Sequence, residues 1–310
     1  MRELSSESHG FRPVVALILL VSLIFLFSAV FSLTGAYLAV WIFGIESIKD
    51  FTASFNNQMQ YPEAMIFLQG FTAFGTFLLP AIVYARITRS RPVSFFTLDQ
   101  PVSKQLLFLA IAALIAGQGL VTITAWLNQQ IVFPEWMGAL GRSLNEMNEN
   151  VDRGYRIFLN IHSFGRLLVM LLVAGIIPAF GEEFLFRGVV QRIFQRWTRN
   201  GHLAVWLAAC IFSLIHMQFL NFLPRLALGA MLGYLFLWSG NLWYSIAAHF
   251  FNNAMLLVYA YVYILQGGDP AELQSNANFQ WMPVIFSSLL SLLLLYFFKK
   301  KAQIANADGT

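Results

Sequence analysis

The sequence predicts an all-α polytopic membrane protein of about eight transmembrane helices, with its chemically equipped core in the later ones. Three observations predict it. The 310 residues are 58% hydrophobic and only 11% charged, with a mean hydropathy of +0.65, outside the range of soluble domains. Long runs contain no Asp, Glu, Lys or Arg, and the cations between them alternate by side. The net charge of +4 follows that membrane pattern, so no nucleic-acid partner is expected. The single cysteine, Cys210, excludes an internal disulfide and any multi-cysteine metal or redox motif.

A charge at the bilayer centre is costly, so charge-free runs mark the spans. They fall at 13–45, 64–85, 105–134, 200–224, 226–268 and 273–298, and a shorter one at 167–181 ends on two glutamates. The first run is too long, and too acidic at its flank (Glu3, Glu7), for a signal peptide, and reads as a retained anchor. As a single helix, 226–268 would be roughly 65 Å long, twice the hydrocarbon core. Ser239-Gly240-Asn241 divides it in two. The spans expected are 14–40, 64–86, 105–128, 163–190, 203–219, 222–238, 242–264 and 279–298.

Loop charges give the orientation. Arg2, Arg12, Arg86, Arg89, Arg91, Lys104, Arg192, Arg196, Arg199, Lys299, Lys300 and Lys301 fall on one side, twelve of nineteen cations. This positive-inside pattern predicts a multi-pass protein of the cell membrane with both termini cytoplasmic. On the outside, Arg142, Arg153 and Arg156 in loop 129–162 are offset by Glu135, Glu146, Glu149 and Asp152, and loop 265–278 holds Asp269 and Glu272. Loop 129–162, punctuated by Pro134 and Gly154, is long enough for an amphipathic helix. Tryptophans 41, 126, 197, 238, 243 and 281 lie near span ends, as interfacial rings do. The 31 phenylalanines read as lipid-facing bulk, and Gly229 with Gly233 as a helix-packing pair. The organisation expected is 1–162, 163–264 and 265–310 within one integral membrane domain: three helices and an outside loop, a core, and a last helix with a basic tail.

Thirteen of the fifteen acids lie outside the spans. Glu182 and Glu183 do not, and an acid pair inside a span marks a functional site. Glu183 and Arg187 are four apart in the favourable order for an ion pair, while Glu182 points about 100° away and lacks that partner. His249 and Asn253 share one helix face, and His216 closes the fifth span. Pro178 lacks an N–H, so it should kink the fourth span and free a carbonyl one turn before the acids. At about 1.5 Å per residue, Glu182, His216 and His249 lie roughly 15, 20 and 12 Å from the inner surface. They occupy one slab.

Two carboxylates, two imidazoles and an amide suit hydrolysis of an amide bond by activated water. A Glu paired with a His takes the proton, and a second His with an Asn donates to the oxyanion. No serine, cysteine or threonine has a recognisable nucleophile context. His-Glu-x-x-His is absent, yet a divalent metal such as zinc would have Glu182, His216 and His249 as candidate ligands. A metal-free glutamate mechanism is the alternative.

Glu182-Glu183-x-x-x-Arg187, Phe212-x-x-x-His216 and His249-x-x-x-Asn253, with Asn241-Leu242-Trp243-Tyr244-Ser245-Ile246 leading into the last, resemble in order the CPBP family of intramembrane proteases. That family includes the type II CaaX prenyl endopeptidases and the bacterial Abi, or bacteriocin-immunity, proteins. The resemblance covers 163–264. It implies an intramembrane endopeptidase with a peptide or membrane-protein substrate in the lipid bilayer. Carried over by position, Glu182 with His216 activates water, and His249 with Asn253 stabilises the oxyanion. Glu183, counted with the catalytic set, shapes the site with Arg187, and Phe212 supports it. Two other classes would use the same buried groups: a transporter or proton relay, and a non-catalytic immunity or scaffold protein.

Overall fold

A computed structural model describes residues 12–54, 60–88, 90–131, 138–269 and 280–308. Arg2, Glu3, Glu7, Arg89, Pro134, Glu135 and Glu272, used in the topology argument, lie outside these, as do the side chains of Glu149, Asp152 and Arg153. Every regular element among the described residues is helical. The elements are α1 (Pro13–Ile42), α2 (Ile48–Ser54), α3 (Pro62–Ile87), α4 (Pro92–Phe95), α5 (Lys104–Gln129), α6 (Gly138–Leu159), α7 (Phe164–Thr198), α8 (Gly201–Leu214), α9 (Phe222–Ser239), α10 (Leu242–Leu265) and α11 (Trp281–Asp308).

Seven of these are long and apolar enough to cross a membrane: α1, α3, α5, α7, α9, α10 and α11. The fifth expected span differs. Instead of 203–219, α8 has 14 residues, about 21 Å, short of a hydrocarbon core of about 30 Å. Its helix stops at Leu214 because the chain turns through Met217 at φ 53°. Asn128 at the end of α5 satisfies the irregular backbone that follows, donating to Phe219 O and accepting from Leu223 N, both at 2.8 Å. Ser213 Oγ donates to Phe222 O at 2.7 Å. His216 therefore sits on a turn past the helix end.

Local chemistry accounts for the helix ends. Ser103, Ser163, Asn200 and Asn241 cap α5, α7, α8 and α10 by accepting from backbone N–H groups, the role short polar side chains fill at helix starts. The expected break in 226–268 is present. Gly240 takes φ +67° after α9, a left-handed stop that glycine adopts without steric cost, and Asn241 starts α10. Arg166 at the start of α7 pairs with Glu63 at the start of α3, so these two helices begin on one side. The loop helix expected in 129–162 is α6, its Leu144 and Leu159 buried and Arg142 exposed.

The largest core surrounds α7. Phe184, Leu185, Phe186, Val189, Val190 and Ile193 pack with Ala81 and Tyr84 of α3, Ala204, Ala208 and Phe212 of α8, and Leu242 and Ile246 of α10. A second core joins α5, α9, α10 and α11 through Ala113, Leu114, Leu232, Tyr244 and Phe298. The phenylalanines divide accordingly. Phe25, Phe108 and Phe286 are exposed on lipid-facing surfaces, whereas Phe51, Phe96, Phe212 and Phe298 are buried. The phenylalanines are therefore not all lipid-facing bulk, as the composition suggests: helices in close contact use aromatic area inside the bundle too.

Candidate active site

The site is built on α7, which departs from α-helical winding on both sides of Pro178: Leu171–Ile176 and Glu183–Val190 are π-helical. Wide turns of this kind concentrate at functional sites because they re-aim side chains within a continuous helix. The expected kink is realised in this form. Pro178 has no N–H for the carbonyl of Ala174 four residues earlier, and Asn253 Nδ2 on α10 donates to that carbonyl at 3.1 Å. Gly181 admits α3 to the same level. A Cβ there would stand 3.0 Å from that of Phe77.

Glu182 and Glu183 are both buried, Glu183 completely, and Arg187 is 1% exposed. Glu183 Oε1 accepts from Arg187 Nη1 at 2.7 Å and from His249 Nδ1 at 2.8 Å. Its Oε2 is buried with no hydrogen-bond partner. Because Nδ1 faces the carboxylate that Arg187 neutralises, Nδ1 carries a hydrogen, and the other ring nitrogen is left for a second partner. That atom, Nε2, lies 3.8 Å from Glu182 Oε2. The His249 ring thus bridges the two adjacent glutamates.

Arg187 also donates through Nη2 to Gly229 O at 2.9 Å and stands over the Phe212 ring, 5.0 Å from its centroid. One turn on, Gln191 Nε2 donates to Gly233 O at 3.1 Å. The glycine pair on α9 therefore does more than admit Ala209 and Val205 of α8: it bares two carbonyls to α7. Gln191 was missed in the sequence, though its signal was there. Glu183, Arg187 and Gln191 repeat every four residues, and Gly229 and Gly233, which accept from the last two, are four apart as well.

His216 Nδ1 donates to Phe212 O at 2.7 Å, which fixes the hydrogen on Nδ1 and leaves Nε2 as the acceptor. Its ring meets Phe212 edge-on at 5.0 Å, and Phe212 meets His249 edge-on at 6.4 Å. Phe212 is thus the common neighbour of Arg187, His216 and His249. Asn253 is on the adjoining face, one N–H spent on Ala174 and its Oδ1 accepting from Asn252 Nδ2 at 3.3 Å. The structure thus joins Glu182, Glu183, Arg187 and His249 directly, His216 through Phe212, and Asn253 through the backbone of α7.

Among the described residues, no three or more His, Cys, Asp or Glu side chains are placed to hold a metal ion. Glu182, His216 and His249 are thus not gathered as a three-ligand set in this arrangement, although His249 Nε2 and Glu182 Oε2 face each other.

The family described as Type II CAAX prenyl endopeptidase Rce1-like matches residues 164–255, which holds every residue of this constellation. The resemblance read from the three motifs is borne out over that segment. The chain is also similar to the uncharacterized protein YpbD of Bacillus subtilis (strain 168), 32% identical over 94 residues, which are 29% of this chain and 45% of that protein. The match thus spans about half the length of that relative. No solved structure matches the chain.

Proposed function

We propose, from the Rce1-like segment at 164–255, that this protein is an intramembrane endopeptidase that hydrolyses a peptide bond of a membrane-associated substrate with Glu182-activated water. The single observation that carries this reading is the buried His249 ring between two adjacent glutamates, one of them neutralised by Arg187. A buried ion pair that only stabilised the bundle would not need a second carboxylate facing the free ring nitrogen.

In the mechanism we infer, Glu182 takes a proton from water with His216 Nε2 as its partner, and the water oxygen bonds to the scissile carbonyl carbon. The oxyanion accepts from His249 Nε2, protonated while Nδ1 is held by Glu183. Asn253 donates its remaining N–H. Collapse breaks the C–N bond, and Glu182 returns its proton to the leaving amine. Glu183 and Arg187 orient His249 and keep its charge compensated, a positioning role. With α8 and the turn that follows it completing an eighth crossing beside α9, the loop cations put both termini on the cytoplasmic side of the cell membrane.

The test is cleavage by the purified protein in lipid vesicles, with new peptide termini read by mass spectrometry on a mixture of hydrophobic peptides. Glu182→Gln should lower the rate by on the order of 10²–10⁴, the contribution of a positioned acid–base group, with the thermal transition preserved. His216→Ala should fall in the same range. Equal cleavage by wild type and both variants would refute the reading, and Glu182-dependent ion flux without cleavage would install a proton relay in its place.

A further inference from the structure

We propose that the cleft beside the site, between the second half of α5 and α10, seats an extended segment of the substrate peptide and holds its backbone through Gln118 and Asn252. This rests on the proteolytic reading above. The cleft has a volume of ≈ 300 Å³ and is lined by Gln118, Asn252, Asn253, Met255, Leu256 and Tyr259. It adjoins the site directly, because Asn253 belongs to both.

The polar side of the cleft is a relay of carboxamides. Gln118 Nε2 donates to Asn252 Oδ1 at 2.7 Å, Asn252 Nδ2 to Asn253 Oδ1 at 3.3 Å, and Asn253 Nδ2 to Ala174 O at 3.1 Å. The relay leaves Gln118 its Oε1 and one N–H. That is an acceptor beside a donor, the complement of a backbone amide. None of the six lining residues is an acid or a strong base, so the cleft offers nothing to an ionic headgroup. Polar side chains at membrane depth that face a cavity mark a substrate path.

The apolar side has the right register. Asn252, Met255, Leu256 and Tyr259 stand at i, i+3, i+4 and i+7 on one face of α10, and Met255, Leu256 and Tyr259 are 37%, 46% and 58% exposed. His249 begins the same stripe. From His249 to Leu256 the helix rises about 10 Å, which an extended chain covers in about three residues. The cleft therefore reads an apolar residue about three positions from the scissile bond. In a helical segment the backbone N–H and C=O groups are already paired with each other, so only an extended segment has an amide free for the Gln118 carboxamide. A lipid or isoprenoid chain would fill the apolar half and leave the carboxamides without partners.

The test measures binding without turnover, on the full chain carrying Glu182→Gln in lipid nanodiscs. The probes are tritiated acetyl-Ala-Leu-Leu-Ala-amide, its analogue with one backbone amide replaced by an ester, and palmitoyl amide. Gln118→Leu and Asn252→Leu should each weaken the peptide about 3- to 10-fold, the range of one hydrogen bond, and leave palmitoyl amide unchanged. The ester should bind more weakly than the peptide, and Gln118→Leu should add little to that loss. Leu256→Trp, which fills the cleft and keeps the carboxamides, should remove peptide binding. Unaltered peptide affinity in all three variants, no saturable peptide binding, or an equal loss for palmitoyl amide overturns the proposal. Cleavage that persists in Glu182→Gln strikes only the role given to Glu182, and no cleavage by the wild type strikes the proteolytic reading, whereas peptide binding indifferent to Gln118 strikes only the cleft.

Discussion

Glu183 occupies an environment that makes its removal and its replacement very different experiments. Its carboxylate is fully buried, with Arg187 and His249 both on Oε1. Glu183→Gln leaves a buried guanidinium unpaired and should cost about 3–5 kcal/mol of stability. Adding Arg187→Met should recover much of that cost, because the uncompensated charge is gone. Cleavage should not recover with it, since His249 has lost its orienting partner. Denaturation curves and peptide cleavage on the two variants separate these effects, and joint recovery would reduce Glu183 to a structural residue. The sequence carried the ion pair in its spacing of four and marked Glu182 as the acid without that partner. It did not carry the His249 bridge, because which nitrogen of a histidine meets which carboxylate depends on the approach of α10 to α7.

Helix α7 shows what pattern reasoning reaches at the scale of an element. Pro178 announced an irregularity and a freed carbonyl, and Asn253 on another helix takes that carbonyl. The π-helical turns left no comparable mark, because one residue more per turn changes no composition or period that a window detects. The same limit hid the end of α8. An apolar run continues from 200 to 224, yet the helix stops at Leu214, and Asn128, distant in sequence, makes the turn tolerable. Gly229 and Gly233 were legible as small residues but not as positions whose carbonyls accept from Arg187 and Gln191. A Cβ on Gly229 would meet Phe212 and Ala209 at 3.1–3.2 Å. Gly229→Val should therefore separate α9 from α8, loosen Arg187, and lower melting temperature and cleavage together. Gly165, with nothing within 4 Å of its Cβ position, is the control: Gly165→Ala in helix α7 should be neutral or stabilise by up to about 1 kcal/mol. Opposite outcomes for the pair would remove the packing account of α9.

Across the whole molecule, scarcity of charge determines both which segments can span a membrane and where the proposed site lies. Hydropathy and charge-free runs made seven of the eight helices legible, with tryptophans 41, 126, 197, 238, 243 and 281 near their ends. Side chains that carry no charge were harder to see. Gln118 and Asn252 are polar groups in apolar runs, and only the closure of α5 on α10 brings them to one cleft. Orientation is testable in a Cys210→Ala background. Gln303→Cys should react with an impermeant maleimide only in inside-out vesicles, and Ser143→Cys only in right-side-out ones; the reverse would invert the topology read from the loop cations. The measurement closest to the central claim is hydrolysis in ¹⁸O-labelled water by the wild-type protein and Glu182→Gln in parallel. The account predicts one ¹⁸O in each new carboxyl terminus made by the wild type and no new termini from the variant. Equal, labelled cleavage by both proteins would contradict it.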